Sequence, residues 1–172
     1  MRPEMKLFPR ELKSLSVEGI PAALERAQRY RLLNEPSQAE SICLDILQAD
    51  LKNQEAIILL LLALTDQFSE HNHYIARAHD LISKLSNEYE RNYYTGLICE
   101  RQARAYLKRN SPGAGHLAYR YFEEAMTYYE QAEALRAPGN DEALLRWNCC
   151  VRTIEADHLE PEPLDTFRPF LE

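Results

Sequence analysis

At 172 residues, with 45% hydrophobic and 27% charged side chains, the chain is long enough for one domain with its own core and too apolar for wholesale disorder. A formal net charge of -7 and an isoelectric point near 5.3 argue against a role dominated by contacts to nucleic-acid phosphates or to an anionic membrane surface. Five glycines, abundant Ala, Leu, Glu, Arg and Gln, and few runs of β-branched residues favour helix throughout.

Residues 1–17 form an N-terminal segment with no apolar stretch of signal length, and a cytoplasmic location is expected. Pro21 suits the first turn of a helix whose apolar face carries Leu24, Ala27, Tyr30 and Leu33. Asn34-Glu35-Pro36-Ser37 stops it, and Ser37 is placed to cap a second helix bearing Ala39, Ile42, Cys43, Ile46 and Leu47. These two form an αα-hairpin. A second pair follows: Ala56 to Phe68 is apolar nearly all round, as in a helix enclosed by neighbours, and its partner carries Ile75, Ala78, Ile82, Leu85 and Tyr89 at three-four spacing.

The third pair is longer. Tyr93, Leu97, Cys99, Ala103 and Tyr106 lead to the break Asn110-Ser111-Pro112-Gly113-Ala114-Gly115, after which Ala118, Phe122, Ala125, Tyr129, Ala132 and Leu135 share a face. Pro138-Gly139-Asn140-Asp141 then stops the chain and offers a cap to a seventh helix, Glu142 to Glu155, with Leu145, Trp147 and Val151. Residues 18–157 are thus the helical domain. Residues 158–172 make an acidic, proline-rich tail that cannot continue a helix.

Two of the units share a pattern of a small residue, two spacers and a tyrosine, followed in the next helix by a small residue, three spacers and a larger one. Ala27 and Tyr30 precede Ala39 and Cys43; Ala103 and Tyr106 precede Ala118 and Phe122. This resembles the tetratricopeptide repeat, a helix-turn-helix of about 34 residues. The middle unit departs from it, with bulky Leu61 and Leu64 and then Ala78-x3-Ile82, and the signature tryptophan, leucine and glycine of the first helix are mostly missing. Similar patterns arise in any antiparallel α-bundle. The resemblance implies an all-α fold of antiparallel helix pairs in a right-handed superhelix, with about three pairs and a C-terminal capping helix.

It further implies that the first helices of successive pairs line a concave groove for a peptide or a partner helix. In that arrangement Leu24, Gln28 and Arg31, then Ile58, Leu62 and Thr65, then Glu100, Arg104 and Lys108, and finally Cys149 and Arg152 face the groove. The expected partner-binding residues are Gln28, Arg31, Leu62, Thr65, Arg104, Lys108 and Arg152, whose four cations suit a protein or peptide with an acidic segment. A solvated helix face would show the same charges. Replacing Arg104 and Lys108 with glutamate is expected to weaken binding while leaving stability nearly unchanged.

The expected function is a non-catalytic adaptor with neither nucleic acid nor membrane as a partner. The alternative is a homo-oligomeric building block whose groove is filled by its own tail, through Phe167, Phe170 and Leu171. Histidines 71, 73 and 79 lack the three-or-four spacing of ligands on one helix face, and Cys149 and Cys150 point about 100° apart on a helix. No P-loop, Rossmann glycine pattern or nucleophile-base set occurs. No metal, cofactor or catalytic residue is therefore assigned, and a thiol- or metal-dependent helical enzyme ranks last.

Overall fold

The computed structural model describes residues 10–163 and, among them, contains a short 3-10 turn, seven α-helices and no strand. The 3-10 turn Val17–Gly19 leads into α1 (Ile20–Leu32), followed by α2 (Pro36–Ala49), α3 (Gln54–Thr65), α4 (His73–Ile82), α5 (Glu88–Arg109), α6 (Ala114–Ala134) and α7 (Glu142–Ala156). Each helix packs on the next in sequence, and α1 also touches α3, as α3 touches α5. Among the described residues no helix is long and apolar enough to cross a membrane.

Local chemistry sets the boundaries. Pro21 and Pro36 occupy the first turns of α1 and α2, where a missing N–H costs nothing. The α2 N-cap is therefore Glu35 rather than Ser37, and no side chain caps that end. Asn53 does cap α3, its side-chain oxygen accepting from the Ala56 amide at 3.0 Å. At α7 the N-cap residue is Asp141, whose side chain makes no cap bond, and Asn140 Oδ1 accepts instead from the Glu142 amide at 3.2 Å.

Two helices end in the same left-handed turn. After α1, Asn34 adopts φ 60°, its amide donates to the Arg31 carbonyl, and the Glu35 amide donates to Tyr30. After α7, His158 adopts φ 49°, with its own amide on Glu155 and that of Leu159 on Ile154. This pairing satisfies carbonyls that a helix end otherwise leaves open.

The second hairpin departs from the sequence expectation. The continuous face through Leu85 and Tyr89 breaks because α4 stops at Ile82, and Tyr89 belongs to α5. Two tight turns, Lys84 amide to Leu81 carbonyl and Leu85 amide to Ile82 carbonyl, still carry Leu85 into the core at 2% exposure. The side chain of Gln54, at the start of α3, holds this link by accepting from the Ser86 amide at 2.9 Å and donating to the Lys84 carbonyl at 3.3 Å.

The core has two apolar clusters that meet on α5. The first gathers α1 to α4 around Ile46, Ile57, Leu61, Leu64 and Phe68 and includes Ile98 and Ala105 of α5. The second joins Cys99 and Ala103 of α5 to Phe122, Ala125 and Tyr129 of α6 and to Ala143 and Cys150 of α7. Helices α5 and α6 approach closely at Gly96: a Cβ there would sit 2.9 Å from the Tyr129 ring and 3.1 Å from the Ala125 carbonyl oxygen. No side chain larger than hydrogen fits that crossing without displacing a buried ring.

Candidate functional site

Four cations converge at the C-terminal ends of α1, α3 and α5. Arg31 of α1 and Arg101, Arg104 and Lys108 of α5 line one cavity of about 310 Å³, together with Thr65, Asp66 and the Phe68-Ser69 turn after α3. Arg101, Arg104 and Lys108 fall on one stripe of α5 because they stand three and four residues apart. Asp66 lies among them. Its carboxylate accepts from Arg31 Nε at 2.8 Å and lies 3.6 Å from a terminal nitrogen of Arg101, tying α1, α3 and α5 together. Cations also suit this location because the last turns of the helices carry negative partial charge.

Behind the cavity sits a buried carboxylate. Glu100 is 0% exposed. One of its oxygens accepts from the Tyr129 hydroxyl at 2.8 Å; the other accepts from Arg104 Nε at 3.1 Å and from Arg146 of α7 at 3.3 Å. Burying a carboxylate costs several kcal/mol unless such partners replace water. Burial, reinforced by the adjacent carboxylate, pushes the Tyr129 hydroxyl far above the usual phenol range, so it acts as a fixed donor. For Arg104, burial works against the charged form, but Glu100 reverses the balance and holds the guanidinium charged. Arg104 continues to α7, one terminal nitrogen lying 3.4 Å from both Cys149 Sγ and the Thr153 hydroxyl.

The structure places Arg31, Thr65, Arg104 and Lys108 on one cavity, but not the rest of the sequence-derived set. Thr65 contributes wall rather than binding chemistry, since it is 3% exposed and its hydroxyl donates to the Leu62 carbonyl. Leu62 is half-buried on α3 and does not line the cavity. Gln28 lies in a separate depression with Pro21, Leu24, Glu25, Arg29 and Glu55, toward the other ends of α1 and α3. Arg152 is exposed and absent from the cavity; Cys149 and Thr153, four apart, are the α7 residues that reach Arg104, and Arg152 stands about 60° around the helix from the first and about 100° from the second. Glu100, expected in the groove, is the interior anchor. Charge reversal at Arg104 therefore disturbs the core as well as the cavity, which corrects the expectation that it leaves stability unchanged.

Arg101 and Asp66 were missed. Stepping along α5 from Glu100 by fours selects Glu100, Arg104 and Lys108, whereas starting one residue later and stepping by three and four selects the cationic stripe. Asp66 sits just past the end of α3, where no periodicity applies.

The tail begins on the far side of α6. Leu159 packs beside Gly115, His116 Nδ1 donates to the Glu160 carbonyl at 2.9 Å, and Pro161 and Glu162 cover part of a small cavity with Leu117, Tyr119, Arg120 and Glu123. Phe167, Phe170 and Leu171 lie outside the described residues. His71 stacks on His73, with ring centroids 5.6 Å apart, and Asn72 between them accepts from Arg109 at 2.7 Å. Among the described residues, no group of three or more His, Cys, Asp or Glu is arranged to hold a metal ion. The Cys43, Cys99 and Cys150 thiols are each pushed up to about 12, in every case chiefly by burial. Compared with protein-family models, curated proteins and solved structures, the chain matches none.

Proposed function

We propose that this chain is a non-catalytic binding module, built as tetratricopeptide-like helix pairs in a right-handed superhelix, that holds an acidic segment of a partner protein against its odd-numbered helices. The observation that carries this reading is the convergence of Arg31, Arg101, Arg104 and Lys108 on one cavity in a chain of net charge -7. Local accumulation of one sign against the overall charge attracts a complementary ligand and orients it. The contacts of α1 with α3 and of α3 with α5 support a repeat arrangement, because first helices of stacked pairs touch in this way.

The test is fluorescence anisotropy with labelled peptide pools, one rich in Asp and Glu and one rich in Lys and Arg. Lys108 is exposed and, among the described residues, hydrogen-bonds only the Ser69 hydroxyl, at 3.3 Å, so Lys108→Glu is the clean charge reversal. Preferential binding of the acidic pool, lost in Lys108→Glu at unchanged melting temperature, supports the proposal; equal binding of both pools sinks it.

A second, self-assembling reading, distinct from a groove filled by the tail, rests on a different surface. An apolar cavity of about 350 Å³ lies on the α2-α3-α4 side, lined by Leu44, Leu47, Leu51, Leu60 and Leu81, with Leu44 46% and Leu51 74% exposed. Molar mass by light scattering separates the two, since a monomer at micromolar concentration removes the assembly reading.

A further inference from the structure

Beyond the preference for an acidic partner, on which this step rests, the geometry points to a phosphorylated serine or threonine as the group that the cavity holds. The cavity's cations are concentrated rather than strung along a groove. Four positive side chains face about 310 Å³ with Asp66 as the carboxylate among them, an excess of three positive charges at one point, while Glu100 behind is shared by Arg104 and Arg146. A phosphomonoester carries about -1.5 to -2 at neutral pH on three acceptor oxygens, so a single group offsets most of that excess. Two carboxylates would have to enter the same small volume on separate side chains.

The donors also suit a phosphate. Arg31 is held by Asp66 through Nε, which leaves its two terminal nitrogens to form a fork. Arg101 has its Nε–H buried without an acceptor among the described residues, and one terminal nitrogen lies 3.6 Å from the same Asp66. Lys108 ends on a neutral hydroxyl rather than a carboxylate. Asp66 thus fixes the Arg31 guanidinium by a hydrogen bond and attracts that of Arg101 at longer range before any ligand arrives, which reduces the ordering cost of binding. An extended polyanion is a poorer match, since the depression further along α1 and α3 presents Glu25 and Glu55 against the single cation Arg29.

The experiment uses the full chain and four fluorescent probes at one ionic strength: a degenerate peptide pool centred on phosphoserine, the same pool centred on serine, the same pool centred on glutamate, and an oligo-dT of similar length. The expected result is binding of the phosphoserine pool at least about tenfold tighter than the glutamate pool, with loss of that difference in Arg101→Gln and in Lys108→Gln. Melting temperatures of both variants, measured alongside, separate loss of the site from loss of the fold. If the glutamate pool binds as tightly as the phosphoserine pool and the same variants weaken both, the phosphate assignment is overturned while the acidic-segment reading stands. Absence of binding by every probe overturns both. Equal or tighter binding of the oligo-dT replaces the phosphopeptide with a nucleic-acid backbone.

Discussion

Tyr129→Phe removes one oxygen from the middle of the molecule, and its cost follows from what that oxygen does. The hydroxyl is the only protein donor among the described residues to one oxygen of the buried Glu100, at 2.8 Å, whereas the other oxygen has Arg104 and Arg146. The ring itself stays, so no appreciable cavity forms. What is lost is a hydrogen bond to a charged acceptor, with the acceptor left dry, about 1.5–3 kcal/mol. For a chain of this size about 1 kcal/mol corresponds to 2–4 °C, giving a fall of about 3–12 °C in melting temperature. Urea unfolding followed by far-UV circular dichroism measures the free energy, and a double-mutant cycle with Glu100→Gln isolates the coupling, expected to exceed about 1 kcal/mol. A cost below about 0.5 kcal/mol, or no coupling, would refute the view that this carboxylate is stabilised by its fixed donor.

Gly96→Ala should destabilise by about 1–2 kcal/mol in urea, because overpacking against Tyr129 outweighs a helix-propensity gain of about 1 kcal/mol; a stabilised variant would contradict the close α5-α6 crossing. His158→Gly should raise stability by about 0.5 kcal/mol, since the left-handed turn after α7 strains any residue with a Cβ, while Asn34→Gly at the equivalent position should change it less. In the native state Cys149 should be the one thiol to react promptly with a thiol reagent, the other three awaiting unfolding; prompt labelling of Cys150 would show that α7 does not seal the second cluster. Each of Cys43, Cys99 and Cys150 keeps its proton to about pH 12 when folded but ionises near pH 9 when unfolded. Their contribution is therefore complete below about pH 9 and is lost from there to about pH 12, at up to about 1.4 kcal/mol per thiol per unit, so urea midpoints should fall steeply above pH 9.

Much of the helical plan can be read from punctuation. Asn34 to Ser37, Asn110 to Gly115 and Pro138 to Asp141 interrupt three-four spacing with residues that end helices for local reasons, and the ends of α1, α5 and α6 and the starts of α2, α6 and α7 fall within a few positions of them. The end of α4 has no such mark. It is held by Gln54, 32 residues away from Ser86, and a contact at that separation leaves no trace in local periodicity. The cavity was half legible for a related reason. Arg31, Arg104 and Lys108 follow from helical phase, but a stripe that steps by three or four can start on either of two adjacent residues, and only packing decides that Glu100 turns inward and Arg101 outward. The Gly96 crossing was equally silent, because a glycine within a helix reads as a local weakness until the ring opposite is known.

Because α5 borders both apolar clusters, the two halves of the chain share a helix, and neither can melt without stripping one side of it. Loosening α5 exposes Ile98 and Ala105 on one side and Cys99 and Ala103 on the other, so its opening amounts to opening the whole molecule. Its central amides should therefore be the last to exchange with solvent deuterium, at a rate set by global unfolding, while α1 exchanges earlier. The surface of α5 that carries Arg101 and Arg104 is in this sense a persistent platform, and a ligand settling there would meet cations held on a helix that opens late.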